Sequence, residues 1–262
     1  MLKLLKVLAA GLAVTVASAA HATVILPGSE TSLQQVISGL YRSAACPTCS
    51  LVANAPDVNA DQVSPDQLWA IEASGVSAAT VIIEIAGNAA SNTFGIYDAQ
   101  SGNTVQLFGG PADQADQALV SIGQNGQVTV VYLQRDASGG LQSVNVWSSG
   151  TNYFTSNLFG YYLGTGGGTF YSEASRNAGG ADQMVAFRGD GDTIRLPGNS
   201  PGVWGSSSFI LGWEDIAYGA SDKDFNDFVV YVESVTNVPE PGTLALLGIA
   251  LTGLGFARRR RK

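Results

Sequence analysis

Short runs of alternating apolar and polar residues fill most of residues 79–235, and clusters of Gly, Asn, Asp and Ser separate them. Alternation with a period of two is typical of β-strands. Because no helical pattern lies between the runs, we expect an all-β fold, an antiparallel β-sandwich or jelly roll, rather than a parallel sheet. The predicted strands are 79–86, 92–98, 104–109, 117–123, 127–135, 141–148, 157–164, 168–173, 182–189, 192–198, 207–215 and 228–235.

One short helix is predicted before these strands. Residues 31–34 resemble a capping box, which marks a helix start. The apolar residues that follow at helical spacing are Leu33, Val36, Ile37 and Leu40. A turn or a further short helix is expected at 64–69. The sequence is therefore divided into an N-terminal region, 23–78, and a β-sandwich domain, 79–236.

The chain begins with a segment typical of a secretory signal peptide. Lys3 and Lys6 precede an apolar run that ends in Ala20-His21-Ala22, an A-x-A cleavage site. The run is short and its end is rich in small residues, which favours cleavage over a membrane anchor. We expect residues 1–22 to be removed, so that the mature chain starts at Thr23.

The C-terminal end combines a proline motif, an apolar stretch and a basic tail. The motif is Pro239-Glu240-Pro241, and the tail contains Arg258, Arg259, Arg260 and Arg261. The apolar stretch between them is at the short edge of a membrane-spanning helix, and the positive-inside rule keeps the tail cytoplasmic. Because the proline motif, the apolar stretch and the basic tail follow one another in this order, residues 238–262 resemble a PEP-CTERM sorting signal.

The resemblance to PEP-CTERM signals implies partners and a location. It implies processing by an exosortase, a membrane transpeptidase-like protease, in a Gram-negative bacterium that makes exopolysaccharide. The C-terminal helix would enter the inner membrane transiently, and the body would then remain at the cell surface or leave the cell. A permanent tail anchor is the alternative.

Charge and histidine content restrict the function of the body. Seven of the 13 Lys and Arg residues and one of the 21 acidic residues lie in the two terminal segments, which leaves residues 23–238 with a net charge near −14. Such a body repels nucleic acid and anionic membranes and attracts divalent cations. The one histidine, His21, lies in the signal segment. Histidine-dependent catalysis and His-ligated zinc are therefore excluded from the mature chain.

The two cysteines, Cys46 and Cys49, form a C-x-x-C motif. A zinc site would need a second such motif, and haem attachment would need a histidine directly after this one. The sequence contains neither. A thioredoxin-like role would need a βαβ context, which the pattern lacks. Export favours disulfides, so we expect a local structural disulfide in this loop.

An acidic segment, which runs from the end of the predicted strand 207–215 to the start of the predicted strand 228–235, holds the candidate metal ligands, Glu214, Asp215, Asp222, Asp224, Asn226 and Asp227. Crowded carboxylates raise one another's pKa and cost stability unless a cation binds among them. Oxygen ligands in this number suit Ca²⁺ better than Mg²⁺. We expect Phe225 and Phe228 to face the core and fix this loop. Asp190-Gly191-Asp192 is a candidate second loop of the site.

Other interpretations of the acidic segment remain. An EF-hand is rejected, because Asp227 stands where that loop needs Gly and Glu233 ends a strand too far away. The Asp and Asn residues could instead be turn formers that bind no metal. A glycosidase would need two carboxylates in a sugar cleft, and nothing in the sequence selects such a pair.

The body also resembles a β-rich domain family of unknown function, common in PEP-CTERM proteins and calcium-rich surface adhesins. The resemblance covers 79–235, and its specific part is the acidic hairpin with W-E-D and D-x-D-F-N-D at 213–227. It implies a secreted, non-catalytic domain with suspected calcium binding. Gln183 departs from the family, because many relatives have His there.

Three functions are therefore considered. The first is a structural or adhesive protein of the cell surface or exopolysaccharide matrix, stabilised by calcium. The second is a calcium-dependent carbohydrate-binding module, for which Tyr161, Tyr162 and Trp147 are candidate exposed aromatic residues. The third is a glycoside-acting enzyme. We expect no enzymatic activity, because the mature chain has no recognisable catalytic constellation.

Overall fold

The computed structural model describes residues 23–41, 55–72, 75–84, 89–110, 115–136 and 138–239. The predicted signal segment 1–22 and the predicted cysteine pair, Cys46 and Cys49, lie outside these residues. So does the sorting signal, including Glu240, Pro241, Arg258, Arg259, Arg260 and Arg261, apart from Pro239, which follows the last strand. Among the described residues, no helix has the length and apolar character needed to cross a membrane.

The described residues form one α-helix, three short 3₁₀-helices and fifteen strands. The α-helix α1 is Leu33–Leu40. The 3₁₀-helices are Ala89–Ser91, Ala174–Arg176 and Ala178–Gly180. The strands are β1 (Leu68–Ile71), β2 (Ser77–Glu84), β3 (Thr93–Asp98), β4 (Thr104–Gly109), β5 (Gln117–Ile122), β6 (Val128–Arg135), β7 (Leu141–Ser148), β8 (Leu158–Thr165), β9 (Gly168–Tyr171), β10 (Met184–Arg188), β11 (Thr193–Ile194), β12 (Gly202–Val203), β13 (Ser208–Trp213), β14 (Phe228–Glu233) and β15 (Val235–Val238).

Two antiparallel sheets form the sandwich in the described part of the chain. The first sheet has the order β15-β1-β8-β3-β4, with β9 paired to β8. The second has the order β10-β13-β14-β2-β5-β6-β7, and β11 and β12 form a separate pair. The prediction of an antiparallel, sandwich-like, mostly β fold is confirmed.

Aromatic side chains fill the space between the two sheets. Trp69 of the first sheet contacts Phe209 of the second, with ring centroids 4.7 Å apart. Phe94 similarly meets Phe228 across the interface, at 5.1 Å. Each such aromatic residue removes a large apolar area from water, so this layer supplies most of the driving force that holds the sheets together.

Helix α1 covers the outer face of the second sheet and forms a second apolar cluster there. Its predicted buried residues, Leu33, Val36, Ile37 and Leu40, are all buried. They belong to the same cluster as Val185, Ile210 and Val229, which alternate along β10, β13 and β14 with residues that face the sandwich core. These strands are therefore buried on both faces, which explains their nearly continuous apolar sequences.

The structure differs from the predicted elements in several places. Strand β11 covers only two residues of the predicted strand 192–198, and β12 was not predicted. The capping box is formed by Ser32 and Gln35, one residue later than predicted. Strand β1 occupies part of the stretch where a turn or helix was expected, because β15 and β8 pair with it on both sides. Ser234 has a left-handed backbone (φ 58°) that separates β14 from β15, so one apolar run passes from the second sheet to the first.

Candidate metal centre

The acidic segment is the loop that joins β13 to β14. Trp213 pairs with Phe228 at the base of this hairpin, so residues 214–227 all lie beyond the paired strands. Phe225 is completely buried in the cluster beneath helix α1, as predicted. Its carbonyl oxygen would lie 2.5 Å from a Cβ atom at Gly212, so the missing side chain there lets the loop fold back onto β13.

Three carboxylates of this loop converge. Oxygen atoms of Glu214, Asp222 and Asp224 all lie within 4.8 Å of one another. Glu214 is 0% and Asp224 2% exposed, whereas Asp222 faces solvent. We call these three residues the acidic triad. Two buried carboxylates and one exposed carboxylate form a site that a dissolved cation can reach from one side.

Hydrogen bonds fix part of the triad and leave one oxygen free. Glu214 Oε1 accepts a hydrogen bond from the backbone N–H of Phe225 at 2.6 Å. Glu214 Oε2 is buried and has no hydrogen-bond partner. Asp224 Oδ2 accepts from Asn226 Nδ2 at 2.8 Å. A buried carboxylate oxygen without a partner is costly, so Oε2 has an unused ligand position among negative neighbours.

The electrostatic environment opposes ionisation of the triad. Burial raises the pKa of Glu214, and the charges of Asp224 and Asp222 add to it, against the lowering effects of the Phe225 amide and the nearby Ser221 hydroxyl. Burial and the charge of Asp222 likewise raise the pKa of Asp224. A bound cation would remove this penalty, because it favours the charged form of every carboxylate around it.

The cation closest in sequence does not neutralise these charges. Lys223 Nζ lies 4.5 Å above the ring of Tyr218, in a cation–π contact. The one ion pair found in the described residues joins Arg176 to Glu173, in another part of the fold. Lys223 and Phe225, on either side of Asp224, both have left-handed backbones (φ 65° and 53°), a conformation that costs energy in residues other than glycine.

The remaining predicted ligands lie beside the triad rather than in it. Asp227 Oδ2 accepts from the Asp215 backbone N–H at 2.9 Å, and Asp215 Oδ2 accepts from Asn92 Nδ2 at 3.4 Å. Burial, with the charges of Asp215, Glu214 and Asp224, raises the pKa of Asp227 to about 7, against the lowering effect of the Asp215 amide. Asn226 uses its side-chain amide as a donor, to Asp224 and to the Thr31 carbonyl.

The loop Asp190-Gly191-Asp192 is placed elsewhere. Its two carboxylates lie near Tyr41, and together with burial they raise the pKa of that phenol. Neither aspartate belongs to the converging group of carboxylates in the described residues.

An N-terminal segment that the sequence analysis did not connect with the site covers the loop. The backbone N–H of Leu26 donates to the Lys223 carbonyl at 2.9 Å. Gly28 packs so closely on Asp224 that a Cβ atom would lie 1.8 Å from Oδ2. Glu30 adds a further negative charge that raises the pKa of Asp224. No local sequence signal indicates this contact, since about two hundred residues separate the two segments.

Gln183, the residue before strand β10, borders the acidic loop. Its Nε2 atom donates to the Ile216 carbonyl at 2.8 Å, and its own backbone carbonyl accepts from the Glu214 amide at 3.2 Å. The side chain is buried, and its Oε1 atom has no partner. The position that departs from the resembled family is therefore adjacent to the candidate site.

Family models match the second half of the chain. Residues 144–235 match DUF4114, a domain of unknown function, and residues 237–262 match the PEP-CTERM protein-sorting motif. This chain carries a DUF4114 domain followed by a PEP-CTERM motif. The DUF4114 match is shorter than the predicted resemblance over 79–235, and it contains the whole acidic loop. No curated protein matches the chain, and no solved structure does.

The PEP-CTERM motif indicates the cellular route of this protein. It implies an exported protein that an exosortase processes and that is sorted to the cell surface. The motif begins at residue 237, within β15, the edge strand of the first sheet. The match therefore overlaps the last two residues of the last strand of the sandwich.

Two of the three candidate sugar-binding aromatic residues are part of the core. Tyr161 and Tyr162 are buried between neighbouring strands, so their selection as exposed residues was wrong. Both lie on β8, which is an interior strand of the first sheet and buries both faces. Trp147, on the edge strand β7, is 39% exposed.

Proposed function

We propose that this protein is a non-catalytic, structural or adhesive component of the cell surface or exopolysaccharide matrix, and that Ca²⁺ bound by the acidic triad stabilises its sandwich. The observation that carries the proposal is Glu214 Oε2, a buried carboxylate oxygen without a partner beside two further carboxylates. The absence of histidine from residues 23–238 supports a non-catalytic role.

The donor set favours calcium over other metals. All three side chains offer hard carboxylate oxygens, and no cysteine or histidine lies among them. Ca²⁺ accepts six to eight oxygen ligands in loose geometry, whereas Mg²⁺ requires a near-ideal octahedron. Glu214, Asp222 and Asp224 would hold the ion, with water completing its shell at the exposed side.

The location of the protein fits this chemistry. Calcium sites of extracellular modules often have affinities of only about 10⁻⁴ to 10⁻³ M, and such sites are filled outside the cell. Bound divalent ions would also reduce the repulsion among the negative charges of the exported body, whose net charge is near −14. Exosortase is the expected processing partner, and exopolysaccharide is the proposed neighbour of the mature protein.

Calorimetry and thermal unfolding test the calcium proposal. A polypeptide of residues 23–239, which contains all the elements described above, is chelated and then titrated with Ca²⁺ or Mg²⁺. At a concentration 100-fold above Kd, calcium adds about 2.7 kcal/mol of stability. For a domain of this size that corresponds to an increase in melting temperature of about 5 to 10 °C.

Asp222→Asn is the variant of choice, because this exposed side chain contributes to the triad without being buried in the fold. It should keep the metal-free melting temperature and weaken calcium binding about tenfold or more. Glu233→Gln, which removes one charge at the far end of β14, should bind calcium normally. No heat and no change in melting temperature at millimolar calcium would refute the proposal.

Carbohydrate binding is a second candidate, favoured by Trp147. Its ring lies in a T-shaped arrangement with Tyr153, with centroids 6.3 Å apart, so one aromatic surface is held in place near solvent. Trp147→Ala should abolish binding on a glycan array, whereas Leu141→Ala, an exposed change on the same strand, should not. Binding that survives Trp147→Ala would exclude this surface.

A further inference from the structure

Thr23, the predicted first residue of the mature chain, is held by three hydrogen bonds. Its backbone nitrogen donates to Gln62 Oε1 at 2.9 Å, and its carbonyl accepts from Gln62 Nε2 at 2.7 Å. Its hydroxyl donates to Asp182 Oδ2 at 2.6 Å. Chain ends are usually poorly ordered unless they are tied down. All of the polar atoms of this residue therefore have defined partners.

The surroundings of Thr23 are rich in negative charge and poor in positive charge. Asp66 lies close to Asp182, and both side chains are only partly exposed. Burial raises the pKa of each carboxyl group, and the charge of Asp182 raises that of Asp66 further. No Lys or Arg side chain forms an ion pair with either of them in the described part of the chain.

We propose that Asp182 and Gln62, which already hold Thr23 by hydrogen bonds, form a receiving site for the α-ammonium group that signal removal creates at Thr23. Hydrolysis of the Ala22–Thr23 bond adds one water molecule. The new carboxylate leaves with residues 1–22, and the Thr23 nitrogen takes up protons to become an ammonium group. This group has one donor for Gln62 Oε1 and further donors for the Asp182 carboxylate, which the Thr23 hydroxyl already contacts at 2.6 Å.

The consequence is that processing fastens the N-terminal segment to the sandwich. Two residues after Thr23, the Ile25 N–H donates to Asn59 Oδ1 at 2.8 Å, and Leu26 then reaches the acidic loop through Lys223. An ion pair at Thr23 would anchor the end of this segment. The inference rests on export and signal cleavage and is independent of any metal.

A thermodynamic cycle in the presence of chelator tests the ammonium site. Four proteins are compared: residues 23–239 beginning at Thr23, the same chain retaining Ala22, and each of these with Asp182→Asn. Asp182→Asn also weakens the Thr23 hydroxyl hydrogen bond, but it does so in both backgrounds. The coupling free energy between the two changes, retention of Ala22 and Asp182→Asn, therefore measures the contribution of the ammonium group.

We expect each single change to lower the melting temperature by about 2 to 4 °C, and the double change to add little more. The α-amino group of the Thr23 chain should also react slowly with amine reagents, because its pKa is raised above the ordinary value of about 7.7 to 8.0. Additive melting temperatures, or an α-amino group that titrates like that of a free peptide, would overturn the proposal. So would a first residue other than Thr23 in the exported protein, determined by mass spectrometry.

Discussion

Replacing Glu214 by Gln separates a metal ligand from a structural residue. The variant has nearly the same shape, and its amide oxygen can still accept the hydrogen bond that Phe225 N–H donates to Oε1. The amide nitrogen takes the place of Oε2, the buried oxygen without a partner. After a small movement of the side chain it can donate to Asp222 or Asp224, since an oxygen of each lies within 4.8 Å of an oxygen of Glu214.

The change in the free energy of unfolding follows from these contacts, and its sign depends on whether calcium is bound. Without metal, the variant exchanges a buried, repelled carboxylate for a hydrogen bond to a charged group, which contributes about 1.5 to 3 kcal/mol. We therefore expect the metal-free variant to be more stable than the wild type by about 1 to 3 kcal/mol. With calcium at 100-fold its Kd, the wild type gains about 2.7 kcal/mol, which the variant largely forgoes. The order of stability should then reverse or disappear.

Urea unfolding in chelator and in calcium at 100-fold its Kd, about 10 to 100 mM for a site with the affinity of an extracellular module, measures both quantities. Glu233→Gln is the control for loss of one charge. The reasoning would be refuted if Glu214→Gln destabilised the protein equally in both conditions. That result would mean that Glu214 serves only to hold the Phe225 backbone in place.

Three further predictions concern packing and charge. Gly28→Ala should destabilise the protein by about 1 to 3 kcal/mol and weaken calcium binding, because the new Cβ atom collides with the Asp224 carboxylate. Thermal unfolding measures this, and the control Gly39→Ala, which has open space around it, should be neutral or stabilising. Phe225→Ala should cost about 3 to 5 kcal/mol in urea unfolding, since it empties a fully buried position at the tip of the loop. Asp98 is buried, which raises its pKa, but hydrogen bonds from Ser101 and Thr155 outweigh this effect and lower it. Its stabilisation should be present above its unfolded pKa of about 3.9 and lost as pH falls through the lower folded value, so Asp98→Asn should cost about 2 kcal/mol at pH 7 and progressively less as the pH falls below about 3.9.

Local patterns were sufficient to predict most strands and the buried face of helix α1. They missed β1, because this strand is short and follows Pro65 closely. Its sequence alone does not indicate a strand, and it forms because β15 and β8 pair with it from distant parts of the chain. The capping box was displaced by one residue because Thr31 and Ser32 are both good N-cap residues.

The acidic hairpin was predictable as a cluster, but its internal arrangement was not. Strand periodicity placed Glu214 at the end of the strand 207–215 and residues 222–227 in the turn that follows, and it predicted that Phe225 would be buried. Which carboxylates converge depends on the left-handed backbones at Lys223 and Phe225, which these residue types do not favour. Asp215 and Asp227 contact each other instead, beside the triad.

The contact between the N-terminal segment and the loop is itself an argument for a cation. Two hydrogen bonds join the segment to the loop, one from Leu26 to Lys223 and one from Asn226 to Thr31. The same contact brings Glu30 towards Asp224 and raises the pKa of Asp224. Charge alone therefore opposes the docking of an acidic segment on an acidic loop. Calcium at the triad would turn this repulsion into attraction. We therefore expect chelation to detach residues 23–32 from the loop before the sandwich unfolds. Faster hydrogen exchange of the Leu26 amide in chelator would detect this.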